Sequence, residues 1–281
     1  MAKDTIDTPR KFIPAETADL GHSRWNIVLV GAGGTGSHSV PHLARMMALP
    51  GLLSKRIASL TIVDHDRVES ENIGRQLFIQ PDIGRFKAQV LAERYSKAYG
   101  VSIAFFNQKV IRGMIRPDGL IPTGSFRRPT LILGAVDNPR GRRAIYAAVK
   151  QHHGPRKALY WFDAGNGFDR GQVAWGNTVN FKKIQGELDR PLVEYVPYPP
   201  ALFPNLIQDS PKPGLSCAQA IRAGEQGLHI NAQMAVVLAE MIQKFLLGQL
   251  DVHYSVIDFH KMRMISQPLT TRWLEAFVPP A

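Results

Sequence analysis

Two apolar runs, Ile27-Val28-Leu29-Val30 and Leu60-Thr61-Ile62-Val63, have no polar partner pattern of their own. Runs of this kind fit strands covered on both faces of a parallel sheet, so strands are predicted over 26–31 and 57–64. Between them, Thr35 to Ala48 reads as a crossover helix, with Pro41 kinking it or shifting its start. A second helix is predicted from Arg85 to Tyr99, apolar at Val90, Leu91 and Ala98 and stopped by Gly100. Val101 to Phe106 and Leu131 to Val136 give a third and a fourth strand. Arg140 to Gln151 follows as a helix, with Pro139 at its start, where the missing N–H costs nothing. Leu159 to Asp163 is a fifth strand.

Beyond the fifth strand the period changes. Val173, Trp175, Thr178 and Val179 alternate, which predicts an antiparallel strand over 171–180 at the sheet edge. From Lys182 to Leu215 the pattern dissolves into prolines 191, 197, 199, 200, 204, 211 and 213. A loop of that length inside a compact domain is functional or mobile. Order returns with a helix over 230–247 and a last strand from Tyr254 to Phe259. Strands alternating with helices predict an α/β fold with a doubly wound, mainly parallel sheet, an antiparallel C-terminal extension and a long crossover loop at about 182–216. Residues 1–25 read as an N-terminal arm without periodicity and 26–281 as one domain.

Composition narrows the setting more than the chemistry. The single cysteine, Cys217, excludes an internal disulfide and an all-cysteine zinc site within the chain, and suits a reducing cytoplasm. The first residues are polar and broken by Pro9 and Pro14, unlike a signal peptide. The apolar helix over 230–247 carries Asn231, Gln233, Glu240, Gln243 and Lys244, too many polar groups for a bilayer span, so no membrane is expected. The net charge of +11 draws polyanions in general. Arg112, Arg116, Arg127, Arg128, Arg140, Arg142, Arg143, Arg156 and Lys157 crowd the middle of the chain. With no helix-turn-helix, zinc-finger or RNP-type pattern, they read as a solvated face or a docking surface for an acidic protein rather than a nucleic-acid site.

Candidate chemistry gathers after the first two strands. Gly31, Gly33 and Gly36 form G-x-G-x-x-G directly after a strand. The first glycine permits the tight turn, the second lets a phosphate approach the backbone, and the third permits close packing, while the helix N-terminus supplies N–H donors. Asp64 ends the second strand, where a carboxylate accepts the hydroxyls of a ribose; a plain strand-end cap is the other reading. To this point a Rossmann-like NAD(P)-dependent oxidoreductase fits equally well. Asn72, Arg75, Gln76 and Lys87 then add amide and cationic groups beyond the ribose position. A dinucleotide has no need of two cations there, whereas a triphosphate with a departing pyrophosphate does. A solvated basic helix capped by Asp82 is the structural alternative. Asp137 at the tip of the fourth strand either holds Mg²⁺ bridging phosphate oxygens or caps the helix that opens at Pro139.

Taken together, Gly31-x-Gly33-Gly34-x-Gly36, Asp64-x-Asp66, Asn72-x-x-Arg75-Gln76, Asp82-Ile83-Gly84-x-x-Lys87-Ala88 and Asp137-Asn138 resemble the adenylating domain of the ThiF/MoeB/HesA family, the bacterial branch of the ubiquitin-activating enzymes. The resemblance covers Asn26 to about Asp163 and resumes at Ser216-Cys217-Ala218 and Ile230-Asn231-Ala232-Gln233. Leu202-Phe203-Pro204 ahead of Ser-Cys is similar to the variant found with PRTRC-type mobile-element systems and to activating enzymes of bacterial ubiquitin-like conjugation operons. The resemblance implies ATP-dependent adenylation of the C-terminal glycine of a small β-grasp protein, ubiquitin-like or sulfur-carrying. It implies that Asp64 binds the ribose, Arg75 and Lys87 the phosphates, Asn72 helps position them, and Asp137 ligates Mg²⁺. Cys217 would take the acyl group as a thioester for transfer to a conjugating enzyme, or it is a packing residue.

Two departures from the family stand out. The paired C-x-x-C motifs of a structural zinc are missing, so no zinc is expected. The arginine that relatives contribute across a homodimer from an N-terminal arm has only Arg10 and Arg24 as candidates. Asp163-Ala164-Gly165-Asn166-Gly167 reads as a turn beside the incoming peptide tail, or as a plain turn. A non-catalytic nucleotide- or nucleic-acid-binding module is the third reading, carried by the charge alone.

Overall fold

The computed structural model describes residues 11–14, 24–111, 114, 129–151, 159–179, 181–186, 192–208 and 229–279. Its frame is one eight-stranded sheet. In chain order the strands are β1 (Trp25–Val30), β2 (Ile57–Val63), β3 (Ile103–Phe106), β4 (Thr130–Gly134), β5 (Leu159–Asn166), β6 (Arg170–Gly176), β7 (Val252–Asp258) and β8 (Arg263–Pro268). Across the sheet they run β3-β2-β1-β4-β5-β6-β7-β8. The first five pair in parallel and the last three antiparallel. The chain leaves β1 for β2 on one side and returns to β4 on the other. That reversal opens a crevice beyond the carboxyl ends of the strands, where ligands bind in sheets of this kind.

The apolar runs become strands because both faces of each are covered. Ile27 and Leu29 of β1 point into one core cluster and Val28 and Val30 into another, the period of two that a strand imposes. Leu131 and Leu133 against Ile132, and Tyr160 and Phe162 against Trp161, repeat this division. The first cluster receives helices α1 (Gly34–Ala48), α2 (Lys87–Tyr99) and α4 (Ile230–Leu246). The second receives α3 (Pro139–Gln151). Trp25, Tyr160, Trp175 and Phe245 interlock edge-on and tilted in the first, with ring centroids 4.8–6.0 Å apart among them. Helix α1 is continuous across Pro41 and begins at Gly34, so the proline does not set its start.

Two expectations need correction. The strand predicted at the sheet edge is interior: β6 pairs with β5 on one side and β7 on the other. The edge belongs to β8, whose sequence Arg263-Met264-Ile265-Ser266-Gln267-Pro268 lacks the alternation that marks a half-buried strand. Residues 163–166 are not a turn but the last residues of β5, paired with β6, and the reversal occurs at 167–169. The stretch after Lys182 is ordered over 192–208: Leu192–Val193 pairs in parallel with Ile13–Pro14, and Pro199 and Pro200 open a helical turn at Pro199–Leu202. The arm is likewise tied down where it is described. Phe12 is buried, its N–H donates to Leu269 O at 2.7 Å, and Lys11 pairs with Asp251 at 3.1 Å.

The basic stretch is not a uniform face. Arg142 is buried against Asp163, and Arg143 donates to Ile207 O at 3.2 Å; of the described arginines there, Arg140 is exposed. Arg112, Arg116, Arg127, Arg128, Arg156 and Lys157 lie outside the described residues. No helix among the described residues is long and apolar enough to cross a membrane.

Candidate active site

A cavity of about 640 Å³ occupies the crevice between β1 and β4. Its floor is the turn after β1. Gly31 N–H closes onto Val63 O at 2.9 Å and Ala135 N–H onto Val30 O at 2.8 Å, locking the tips of β2, β1 and β4 together. Gly31 takes φ +96°, and a Cβ there would meet Ala135 O at 2.6 Å. Gly33 faces the cavity; a Cβ on it would meet only Gln76 Nε2, at 3.9 Å. Gly34 also lines the cavity, pressed against the Asn231 amide. Gly36 does not line it. A Cβ there would lie 2.0 Å from Gly31 O, so this glycine permits the turn rather than touching a ligand.

Asp64 follows β2 directly. Its Oδ2 accepts from Ala32 N–H at 2.6 Å and its Oδ1 from Asp66 N–H at 2.7 Å. Burial pushes the Asp64 carboxyl above the ordinary carboxylate range; the two amides oppose that shift, the Asp66 charge adds to it, and Lys87 opposes it. Asp66 is exposed and draws Lys87 Nζ to 3.5 Å, with His65 at 3.2 Å on its other oxygen. Lys87 opens α2 and is only 7% exposed. Its main-chain N–H donates to Asp66 O at 2.9 Å, which fixes where the stem begins.

The segment between β2 and α2 supplies the remaining groups. Asn72 is buried, and its Oδ1 accepts from Glu69 N–H at 3.0 Å, closing a capping box around Ser70–Asn72. One side of that amide therefore has a structural task, which the sequence did not reveal. Arg75 is 8% exposed; its Nε donates to Glu71 O at 2.9 Å while its NH1 is buried without a partner. Gln76 beside it also leaves a buried Oε1 unpartnered. Both line the cavity. Asp82 does not. It caps its own short turn by accepting from Ile79 N–H at 2.8 Å and pairs with Arg94.

On the β4 side, Asp137 and Asn138 reach the cavity and are exposed. Asn138 is the residue that caps α3, accepting from Gly141 N–H at 2.8 Å, and it donates to Asp137 Oδ1 at 3.0 Å. The capping alternative for Asp137 thus passes to its neighbour. Behind them, Arg142 Nε donates to Asp163 Oδ1 at 2.9 Å, both side chains buried. Burial raises the Asp163 carboxyl against the pull of Arg142.

Of the residues singled out in the sequence, Gly31, Gly33, Gly34, Asp64, Asp66, Asn72, Arg75, Gln76, Lys87, Asp137 and Asn138 line this one cavity. Cys217 and Arg10 lie outside the described residues. Arg24 donates to Ile57 O at 3.1 Å, at the amino ends of β1 and β2 and therefore opposite the cavity. Asn166, from the segment read as lying beside the peptide tail, lines the cavity as well, and so do Thr35, Lys109, Arg140 and Asn231, which had not been expected to. They are scattered single residues with no shared spacing, so only the tertiary fold gathers them.

Comparison with known proteins bears on the fold and the family. Human ubiquitin-like modifier-activating enzyme 7 is 43% identical over 70 residues, which is 25% of this chain and 6% of that protein's length. Among solved structures, MccB of E. coli crystallised with ATP superposes with a TM-score of 0.54 at 17% identity, over 91% of this chain and 66% of MccB. PaaA gives 0.52 at 16% identity, over 91% of this chain and 67% of that one. This chain thus spans a small part of the curated relative and just under two thirds of MccB. The sequence model of the ThiF family matches residues 8–270. Carrying that match along nearly its whole length, the chain belongs to the ThiF family.

Proposed function

We propose that this protein activates a C-terminal carboxylate by adenylation with ATP. The observation that carries the reading is the company Arg75 and Lys87 keep: two buried cations share a cavity with the glycine turn and with Asp64. In the reaction, a carboxylate oxygen of the substrate bonds to the α-phosphorus as the bond to the bridging oxygen breaks, and pyrophosphate departs with that electron pair. The attacking carboxylate is ionised at neutral pH, so no side-chain base is required. Asp64 accepts ribose hydroxyls with its remaining lone pairs. Arg75 and Lys87 neutralise charge that moves onto the departing phosphates, and the unpartnered Arg75 NH1 is available for this without breaking its bond to Glu71 O.

The donor set suits Mg²⁺: Asp137 offers an exposed carboxylate at the strand tip beside the phosphate-facing turn, and Mg²⁺ takes one or two such oxygens together with phosphates and water. When bound, the ion supplies positive charge to the phosphate oxygens. Asn138 would hold the Asp137 carboxylate in place through its amide.

The substrate we propose is a small β-grasp protein, ubiquitin-like or sulfur-carrying, that ends in glycine. Cys217 would then receive the acyl group as a thioester, with AMP leaving, for delivery to a conjugating enzyme. The working unit would be a cytoplasmic homodimer. Family membership and the resemblance of the second half support this finer reading. The test is exchange of labelled pyrophosphate into ATP, with Mg²⁺ and a glycine-terminated β-grasp protein. Exchange that requires the partner's free carboxylate, and that Asp137→Ala abolishes, is the expected result. Exchange undiminished in Asp137→Ala, or absent with every such partner, would overturn it. A conjugate sensitive to thiols in the wild type and equally abundant in Cys217→Ser would remove the thioester step alone.

A further inference from the structure

At the end of the cavity away from Asp64, three uncharged side chains from distant parts of the chain meet. Thr35 Oγ1 lies 3.2 Å from Asn166 Oδ1 and 3.3 Å from Asn231 Oδ1, and Asn166 Nδ2 lies 3.2 Å from Asn231 Oδ1. The Thr35 hydroxyl has one proton for two acceptors. Asn231 is 3% exposed, and its Nδ2 is buried with no partner at all. A buried amide left so is costly, and such groups call for an explanation. Packing alone does not supply one. Gly34 has no Cβ, and one placed there would come within 2.5 Å of the Asn231 amide, so the turn makes room for this side chain at the cavity wall.

The position says what the trio faces. Asp64 stands at the end of β2, and Asn166 ends β5, with β1 and β4 between them. Three strand spacings separate the two by about 14 Å across the sheet. The cations that suit phosphates, Arg75 and Lys87, belong to the segment after β2, whereas the trio offers neutral donors and acceptors only. Neutral amides pair with neutral amides: the carbonyl oxygens and N–H groups of a peptide main chain.

We propose that Thr35, Asn166 and Asn231 seat the main-chain amides of the last residues of the incoming peptide. They are positioning residues for the acyl substrate, not for the nucleotide. This rests on the adenylation reading above and assigns the peptide end of the same cavity.

The test compares two ligands by calorimetry: AMP, and glycylglycyl-sulfamoyl-adenosine, a stable mimic of the acyl-adenylate. The wild type is expected to bind the mimic more tightly than AMP. In Thr35→Val and in Asn231→Leu that advantage falls about tenfold, the equivalent of one or two hydrogen bonds, while AMP affinity holds within about twofold. Thr35→Ser, which keeps the hydroxyl, retains the advantage. An equal loss for both ligands, or an unchanged ratio in both variants, would overturn the assignment. Should Asn231→Leu fail to fold, the Thr35→Val and Thr35→Ser pair decides on its own. A wild type that binds AMP but gains nothing from the acyl extension sinks this inference alone. A wild type that binds neither ligand sinks the adenylation reading with it.

Discussion

The main-chain N–H of Ala32 donates to Asp64 Oδ2 at 2.6 Å, so the glycine turn and the carboxylate after β2 form one rigid piece. With Asp66 N–H on the other oxygen, both carboxylate oxygens are committed to backbone donors. Asp64→Asn must turn an NH₂ group toward one of those N–H groups. The unsatisfied donor costs about 1–3 kcal/mol, so the variant should melt lower and bind ATP more weakly. Calorimetry and thermal melting measure the two effects.

The same carboxyl has a pKa raised by burial, and the sign of its pH dependence follows. The folded state holds this proton more tightly than the unfolded chain. Its contribution to stability is therefore present below the ordinary carboxylate range and is lost as pH rises through the raised pKa. Nucleotide binding runs the other way, because a protonated Asp64 loses acceptor capacity. ATP affinity should fall on acidification at a higher pH than an ordinary carboxyl would give, in titrations across the mildly acidic range.

Arg75→Ala and Lys87→Ala should each lower pyrophosphate exchange by about 100- to 1,000-fold, the scale seen when one preorganised donor is removed from a developing charge. Their stabilities should differ. Lys87 is paired with an exposed Asp66 that water can still solvate, whereas removing Arg75 also breaks its part-buried bond to the main-chain Glu71 O. Urea unfolding beside the exchange assay separates the two.

Arg142→Met should destabilise the fold by about 3–5 kcal/mol, because it leaves the Asp163 carboxyl, 1% exposed, without its cation. The double variant Arg142→Met/Asp163→Asn should recover much of that loss. Urea midpoints of the single and double variants check both statements.

His253 is buried as the neutral ring: Trp273 Nε1 donates to its Nδ1 at 2.9 Å, and its Nε2 lies 3.0 Å from Pro197 O. Burial lowers its pKa from 6.5 to about 4. Between those values the unfolded chain binds the extra proton, so stability declines as pH falls through this window. The full contribution is on the order of 3 kcal/mol at 1.36 kcal/mol per pKa unit. His253→Gln should be less stable than wild type at neutral pH and lose less on going to pH about 5, read as the shift of the urea midpoint.

How far the sequence alone reached is instructive at particular residues. β1 and β4 were legible because both their faces are buried, which leaves an unbroken apolar run. β8 was not, since Met264 and Ile265 are exposed and a side chain there reports nothing about pairing. Cavity residues that sit at fixed offsets from a strand end, such as Gly31, Asp64 and Asp137, could be picked out by position. Arg142, an arginine in a basic run, is indistinguishable from a surface residue until Asp163 is seen beside it. Thr35 and Asn231 lie 196 positions apart, and only the packing of α4 against α1 makes them neighbours.

The obstacle to a side chain at Gly36 is Gly31 O, a main-chain atom rather than another residue's side chain. Evolution can trim a neighbouring side chain to accept a newcomer, but no exchange elsewhere removes a carbonyl. Every single-base change that puts another amino acid in place of a glycine introduces Cβ. A gene that loses this position therefore has reversion as its only short way back, and natural variation should leave it untouched even where the rest of the chain drifts freely.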